Sequence, residues 1–304
     1  MHTGKRTVVG WMFVLPAVVL MGVFIVYPMI VTIRLSFYDG VGYNPRVFVG
    51  IRNYLRLLTQ DPFFLKLSTF PPSGSLVNNG IWLVLFPVLS IGFGLLVSVL
   101  ADKVRYEAMV KSVVFMPMAI SYTAAGVIWT FMYSPDPKIG LLNALCAVFF
   151  PGMQPIAWMG DVHLVNVAII IAAVWMSTGF ALVVLSAGLK AIPLELIEAA
   201  RVEGAGGWRV FRNIQVPLLA PLLSFLVIND IIAVIKVYDL IFIMGGKTGG
   251  PAGSARVIAF TQYIEVFQSA RIGYGSAVAV IMLLLILPVI VFNVRRFRQE
   301  DSQR

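Results

Sequence analysis

Cysteine is nearly absent from this sequence: Cys146 stands alone in 304 residues. A single thiol excludes an intrachain disulfide and a cysteine-based metal site. Histidine is almost as scarce, and His2 and His163 are too few and too separated for a histidine metal cluster or a histidine-based triad. Charge is short as well. Only 12% of the residues are Asp, Glu, Lys or Arg, against 59% hydrophobic and a mean hydropathy of +0.90, which is outside the balance of soluble domains. The chain reads as a polytopic membrane protein. Its net charge of +9 comes from basic residues scattered beside apolar runs, with no basic stripe and no interleaved aromatics. Flanks of membrane spans account for that charge, and no nucleic-acid partner is expected.

A nucleotide site is missing too. Gly246, Lys247 and Thr248 supply the last three characters of a phosphate-binding loop, but Ile241 stands where its first glycine belongs. The motif also needs a strand before it and a helix after it. No cofactor is therefore assigned to this chain. Any ATP used must be bound by a partner.

What the sequence does have is six apolar runs, at about 8–33, 81–100, 112–133, 164–185, 218–243 and 276–294. Runs of that length imply an all-α fold with six transmembrane helices, forming one membrane domain over 1–304. The first run is about 25 residues, longer than the ~7–15 of a signal-peptide core, and no small-x-small cleavage site follows it. Gly92 and Gly94 permit close helix contact in the second run, and Pro117 predicts a kink in the third. Between the runs, 37–78 reads as an extramembrane loop with a short amphipathic helix and the linker STFPPSGS. The patch 139–150 is too short to span and suits the membrane interface. Residues 244–257 form a glycine-rich connection, and 260–275 are amphipathic. Six spans put both termini on one side. Thirteen Lys and Arg fall on that side and nine on the other, so the termini and the 191–217 loop are expected to be cytoplasmic.

That loop, with its flanks, is the longest charge-bearing amphipathic stretch between two apolar runs. Pro193 suits a first helical position, and Leu194, Ile197 and Ala200 or Arg201 recur at helical spacing. Gly204 ends the helix in a left-handed cap, and Trp208, Phe211 and Ile214 form a second short amphipathic turn that Pro217 stops. Its first helix carries Glu195, Glu198 and Glu203 against Arg201, whereas helices that lie on lipid are rich in Lys and Arg. A protein partner fits better. Ala199 and Ala200 let another backbone approach closely, as for a knob entering a cleft.

The fifth run contains Asn229, Asp230, Lys236 and Asp239, and each charge at a bilayer centre costs about 2.5–3.5 kcal/mol on insertion scales. On a continuous helix Asn229 and Lys236 share a face, Asp239 is placed to pair with Lys236, and Asp230 points away. Two readings stand open. Asn229, Lys236 and Asp239 line a polar substrate pathway, or these residues form an inter-helix network. Nothing nearby resembles a catalytic dyad, so no enzymatic site is expected.

At the 191–217 loop the sequence resembles the membrane-spanning permease subunits of binding-protein-dependent ABC importers. The signature of an EAA triplet, a glycine, an isoleucine and a proline falls on Glu198, Ala199, Ala200, Gly204, Ile214 and Pro217, with Glu203 where Asp is common. The resemblance extends through Tyr27 and Pro28, FVGIRNY, FMPMAIS, GVIWTFMY and IGLLN, and through Asp239 with Gly249, Gly250 and Pro251. It is similar to the sugar-importer permease that precedes its paired permease, and NNGIWLVLFP with KSVVFMPMAIS leans to the alpha-glucoside branch. The Gly-Gly-Pro lies somewhat later after Asp239 than in the family pattern, and STFPPSGS enlarges the first external loop. The resemblance implies a type I ABC importer fold in a bacterial or archaeal inner membrane. It also implies a second homologous permease, a cytoplasmic ATPase dimer that binds ATP, an extracytoplasmic sugar-binding protein, and a coupling helix seated in the ATPase. An ion-coupled secondary transporter is the alternative, since intramembrane Asp and Lys also suit ion coupling, though no inverted repeat is visible. A membrane-embedded enzyme comes third.

Overall fold

The computed structural model describes residues 3–42, 47–68, 70–102 and 104–301. Arg46, Thr69, Lys103 and Arg304, which enter the loop and charge readings above, lie outside the described residues. Along the chain, α1 (Thr3–Met21) passes through a π turn (Gly22–Val26) into α2 (Tyr27–Leu35). Strands β1 (Tyr38–Asp39) and β2 (Val47–Phe48) pair antiparallel, Tyr38 opposite Phe48. The amphipathic α3 (Arg52–Thr59) follows, burying Asn53 and Leu57, and then α4 (Ser75–Ala101). After these come α5 (Glu107–Phe115), α6 (Tyr122–Met132), α7 (Leu141–Phe149) and α8 (Val165–Lys190). The 191–217 region gives α9 (Leu194–Val202), α10 (Gly207–Val210), a π turn (Phe211–Gln215) and α11 (Val216–Leu218). Last come α12 (Ala220–Lys236), α13 (Asp239–Gly245), α14 (Ile258–Tyr263), a π turn (Ile264–Gln268) and α15 (Ile272–Asp301).

Four continuous stretches are long and apolar enough to cross a membrane: Trp11–Leu35, Ser75–Ala101, Val165–Lys190 and Ile272–Asn293. Two more are bent pairs, Glu107–Ala119 with Tyr122–Met132 at 105° and Gly207–Leu218 with Ala220–Lys236 at 65°. Counting each bent pair as one span gives the six expected from the sequence, two of them broken.

The breaks correct the sequence reading in three places. Pro117 does not kink a continuing helix. It lies in a 3-10 turn (Met116–Ala119), Ile120 is extended, and Ser121 restarts the helix by accepting the Ala124 N–H at 3.2 Å. Pro217 does not stop the second turn either, because it sits inside α11, where a proline near a helix start forfeits little. The bend comes at Leu219, between Pro217 and Pro221. Similarly, the fifth run is not one helix through 243. Val237 (ψ 124°) and Tyr238 (φ −142°) interrupt it between α12 and α13.

The described residues fall into two compact units, one of 1–61 with 261–285 and the other of 62–260 with 286–304. In the first, the Tyr274 hydroxyl donates to Asp61 at 2.8 Å, Arg56 and Arg271 lie over the Tyr274 ring, and Arg271 pairs with the buried Glu265 at 2.5 Å. The second is built on α4 against α8. A Cβ on Gly94 would come within 2.6 Å of the Ala181 Cβ, so glycine here is what lets the two helices touch. Gly92 is not at this contact: a Cβ there would meet nothing within 4 Å. Ile91, Leu185, Leu189, Leu219 and Leu226 close the apolar core around that contact.

Candidate functional site

The first candidate region is the cavity beside the α12–α13 break. It measures about 320 Å³ and is lined by Trp82, Phe86, Tyr122, Asn229, Lys236, Tyr238 and Asp239, among others. All three pathway candidates from the sequence therefore share one wall. Lys236 and Asp239 do not form the pair that a continuous helix would allow, and among the described residues no ion pair joins them. The break removes the i,i+3 geometry. Instead Lys236 is the last residue of α12 and Asp239 the first of α13, so each charge sits at the helix end whose dipole favours its sign. A second cavity of about 410 Å³ shares Phe86, Tyr122 and Asn229 with the first and adds Met118, Ile120 and Asp230. Asp230 is buried and accepts a hydrogen bond from Ser90 of α4 at 2.7 Å, so it serves in part as an inter-helix contact.

A polar bracket that the sequence reading left out fixes this break. Asn79 donates to the Val234 carbonyl at 3.2 Å, beside the interruption, and accepts the Ile258 N–H at 2.7 Å. Its neighbour Asn78 donates to the carbonyls of Ser254 and Arg256, both at 2.7 Å. Asn166 completes the group, accepting from the Trp82 indole at 2.9 Å and donating to Asn78 at 3.3 Å. Buried amides next to irregular backbone satisfy groups that no helix ladder reaches. A usable signal was present: two adjacent asparagines at the edge of an apolar run. The loop read from the sequence ends at 78 and the apolar run begins at 81, which leaves Asn78 at the loop's edge and Asn79 between the two, whereas α4 begins at Ser75 and carries both.

The second candidate region is the 191–217 loop. Pro193 is the residue before α9, not its first, and its ψ of 129° turns the chain into the helix. Glu195 in the first turn and Arg201 in the last suit the helix dipole. At the other end Gly204 adopts φ +81°, the Gly204 N–H reaches the Arg201 carbonyl at 3.0 Å, and the Ala205 N–H reaches the Ala200 carbonyl at 2.9 Å. These two bonds form the Schellman closure that a left-handed glycine permits. Glu198, Ala199 and Gly204 are exposed and Ala200 is half-buried. Ile214 lies half-buried in the π turn, and Pro217 is exposed in α11. Val202 is 89% and Trp208 71% exposed, a large apolar offering at the loop surface. The opposite face of α9, with Leu194, Ile197 and Arg201, borders a cleft of about 670 Å³ that Leu95, Leu96, Val99 and Lys190 also line.

A helical membrane fold, a largely apolar cavity with an amide and two charges in its wall, and an exposed capped helix are the features that the comparisons with known proteins have to account for. The chain belongs to the family of binding-protein-dependent transport system inner membrane components, whose model matches residues 90–297. It is 40% identical to the osmoprotective compounds uptake permease protein GgtC of Synechocystis, over 96% of this chain and 100% of that one. It is 35% identical to the alpha-glucoside transport system permease protein AglF of Rhizobium meliloti, over 96% of this chain and 83% of that one. In fold it is similar to a chain in the crystal structure of a bacterial ABC transporter involved in the import of the acidic polysaccharide alginate. That match has TM-score 0.75 and 21% identity, and covers 96% of each chain.

Proposed function

We propose that this chain is one permease subunit of an ATP-driven, binding-protein-dependent importer of glucosides or short oligosaccharides, forming half of the translocation pathway. The cavity at the α12–α13 break carries the pathway half of this reading. Its wall combines aromatic faces (Trp82, Tyr122, Tyr238) with an amide and two charges seated on helix ends, a mixture suited to a polyhydroxyl solute. The names of relatives agree in kind. They include alpha-glucoside uptake for AglF and trehalose/maltose transport for a 32% identical permease of Thermococcus litoralis. A structure of similar fold, that of a bacterial alginate ABC transporter, is in complex with an alginate pentasaccharide-bound periplasmic protein, which supports an extracytoplasmic binding protein as a partner here.

In this reading the termini and the 191–217 loop face the cytoplasm. Glu198, Ala199, Ala200 and Gly204 seat α9 in a groove of a partner ATPase, with Ile214 and Pro217 shaping the return to the membrane. ATP is bound by the ATPase dimer. Its closure rocks the spans of this chain against a second, homologous permease and alternates access to Asn229, Lys236 and Asp239. This chain performs no catalysis of its own. The test is uptake of labelled glucosides into proteoliposomes containing the whole complex. Uptake is expected to require ATP inside and binding protein outside, and to be abolished together with ATPase stimulation by Gly204→Asp or Glu198→Lys. Normal uptake by both variants, or uptake that follows an ion gradient without ATP, would sink the assignment.

A further inference from the structure

Glu107 opens α5 and lies between two lysines. Lys111, one turn along the same helix, contacts it, and Lys190, the last residue of α8, approaches it to 2.6 Å. Lys111 also reaches the Ser186 hydroxyl on α8. Farther along, the two helices meet again. A Cβ on Gly179 would come within 2.8 Å of the Phe115 Cα and 2.9 Å of the Val114 carbonyl oxygen, so the backbones touch there. α5 is thus strapped to α8 near both of its ends.

The two ends of this strap lead to the two candidate regions. Lys190 is the residue immediately before the 191–217 loop, and it lines the cleft under α9. At the other end, α5 runs through the Met116–Ala119 turn into the 105° bend, where Met118, Ile120 and Tyr122 line the second cavity. A short, straight helix clamped at both ends to a long one transmits displacement instead of absorbing it.

We infer that Glu107 and Lys190 are positioning residues that carry movement of the 191–217 loop along α5 to the cavity wall at the bend. Loop engagement and cavity rearrangement are then one event. This rests on the proposed reading of the chain as an ATP-coupled importer subunit. The rival account is that the cluster only stabilises the fold. Its side chains are 27% and 55% exposed, and an ion pair open to water adds little to stability. As a spacer it matters more. Without the Glu107 carboxylate, Lys111 and Lys190 lie near each other as like charges, and the contact that sets the end of α5 against the end of α8 is lost.

The experiment measures ATP hydrolysis and solute uptake in the same proteoliposomes, using the assembled complex with its ATPase and binding protein. E107Q is expected to raise the ATP consumed per solute imported roughly tenfold while complex yield stays unchanged. E107K is expected to do the same, and E107K/K190E to return the ratio to within about twofold of wild type. An unchanged ratio in E107Q overturns the inference, as does a double variant no better than E107K. A loss of assembled complex with both activities falling in proportion overturns it too, because that is what a purely structural role produces. Failure of the importer reading shows separately, as wild-type uptake that ignores ATP.

Discussion

Two loops of the larger unit, 191–217 and the glycine-rich 244–257, both close their turns with their own backbone bonds but differ in what a neighbouring helix adds. The first is folded by its own backbone. Its helix is closed by the Gly204 cap, and the side chains of Glu195, Glu198, Arg201 and Glu203 make no hydrogen bond or ion pair among the described residues. The second turns through left-handed glycines at 246, 249, 250 and 253 and is tied down from outside itself. Asn78 and Asn79 take its carbonyls and the N–H that follows it, and the Arg256 guanidinium lies 4.1 Å from the centre of the Phe63 ring. A loop that finishes its own hydrogen bonding leaves its side chains free for another molecule. A loop that adds bonds from a neighbouring helix to its own becomes part of the scaffold.

Substitutions can break or sharpen that contrast. The largest effect is expected from Asn79→Leu, which strands the buried Ile258 N–H and removes a donor to Val234. About 2–3 kcal/mol of stability should be lost, read as a lowered melting temperature of the purified complex, and a change under about 0.5 kcal/mol would erase the contrast. Asn78→Ala comes next, at about 1–2 kcal/mol, since two carbonyls lose a donor but carbonyls tolerate this better than an N–H. Gly204→Ala should cost about 1 kcal/mol, the penalty of a positive φ, because open space surrounds its missing side chain. Glu198→Ala should stay within about 0.5 kcal/mol in the same melt while impairing ATPase stimulation, which separates an interaction surface from a structural one.

Much of this was legible in the sequence, and most of what escaped depends on residues distant in the chain. Apolar runs placed α4, α8 and α15, and Gly204 announced its cap because local chemistry alone decides a left-handed residue. The break at Val237 and Tyr238 carried no glycine or proline to announce it. Asn79 and Phe260, distant in sequence, supply a hydrogen bond and a ring contact beside it, with Tyr238 stacked 6.0 Å from Phe260. Pro117 pointed at the other break, but the chain turns at Ile120 and Ser121, where a cap made the restart possible. The link from Glu107 to Lys190 joins residues far apart in the chain, and no local pattern encodes it.

At ~1.5 Å per residue, the 27 residues of α4 span about 40 Å, against about 30 Å of hydrocarbon in a typical bilayer. Its first turn, with Ser75, Asn78 and Asn79, therefore has room to stand in the headgroup layer. Burial in the protein, which leaves Asn78 7% and Asn79 2% exposed, shields their amides from water, so the bracket is expected to hold the break in thin and thick bilayers alike.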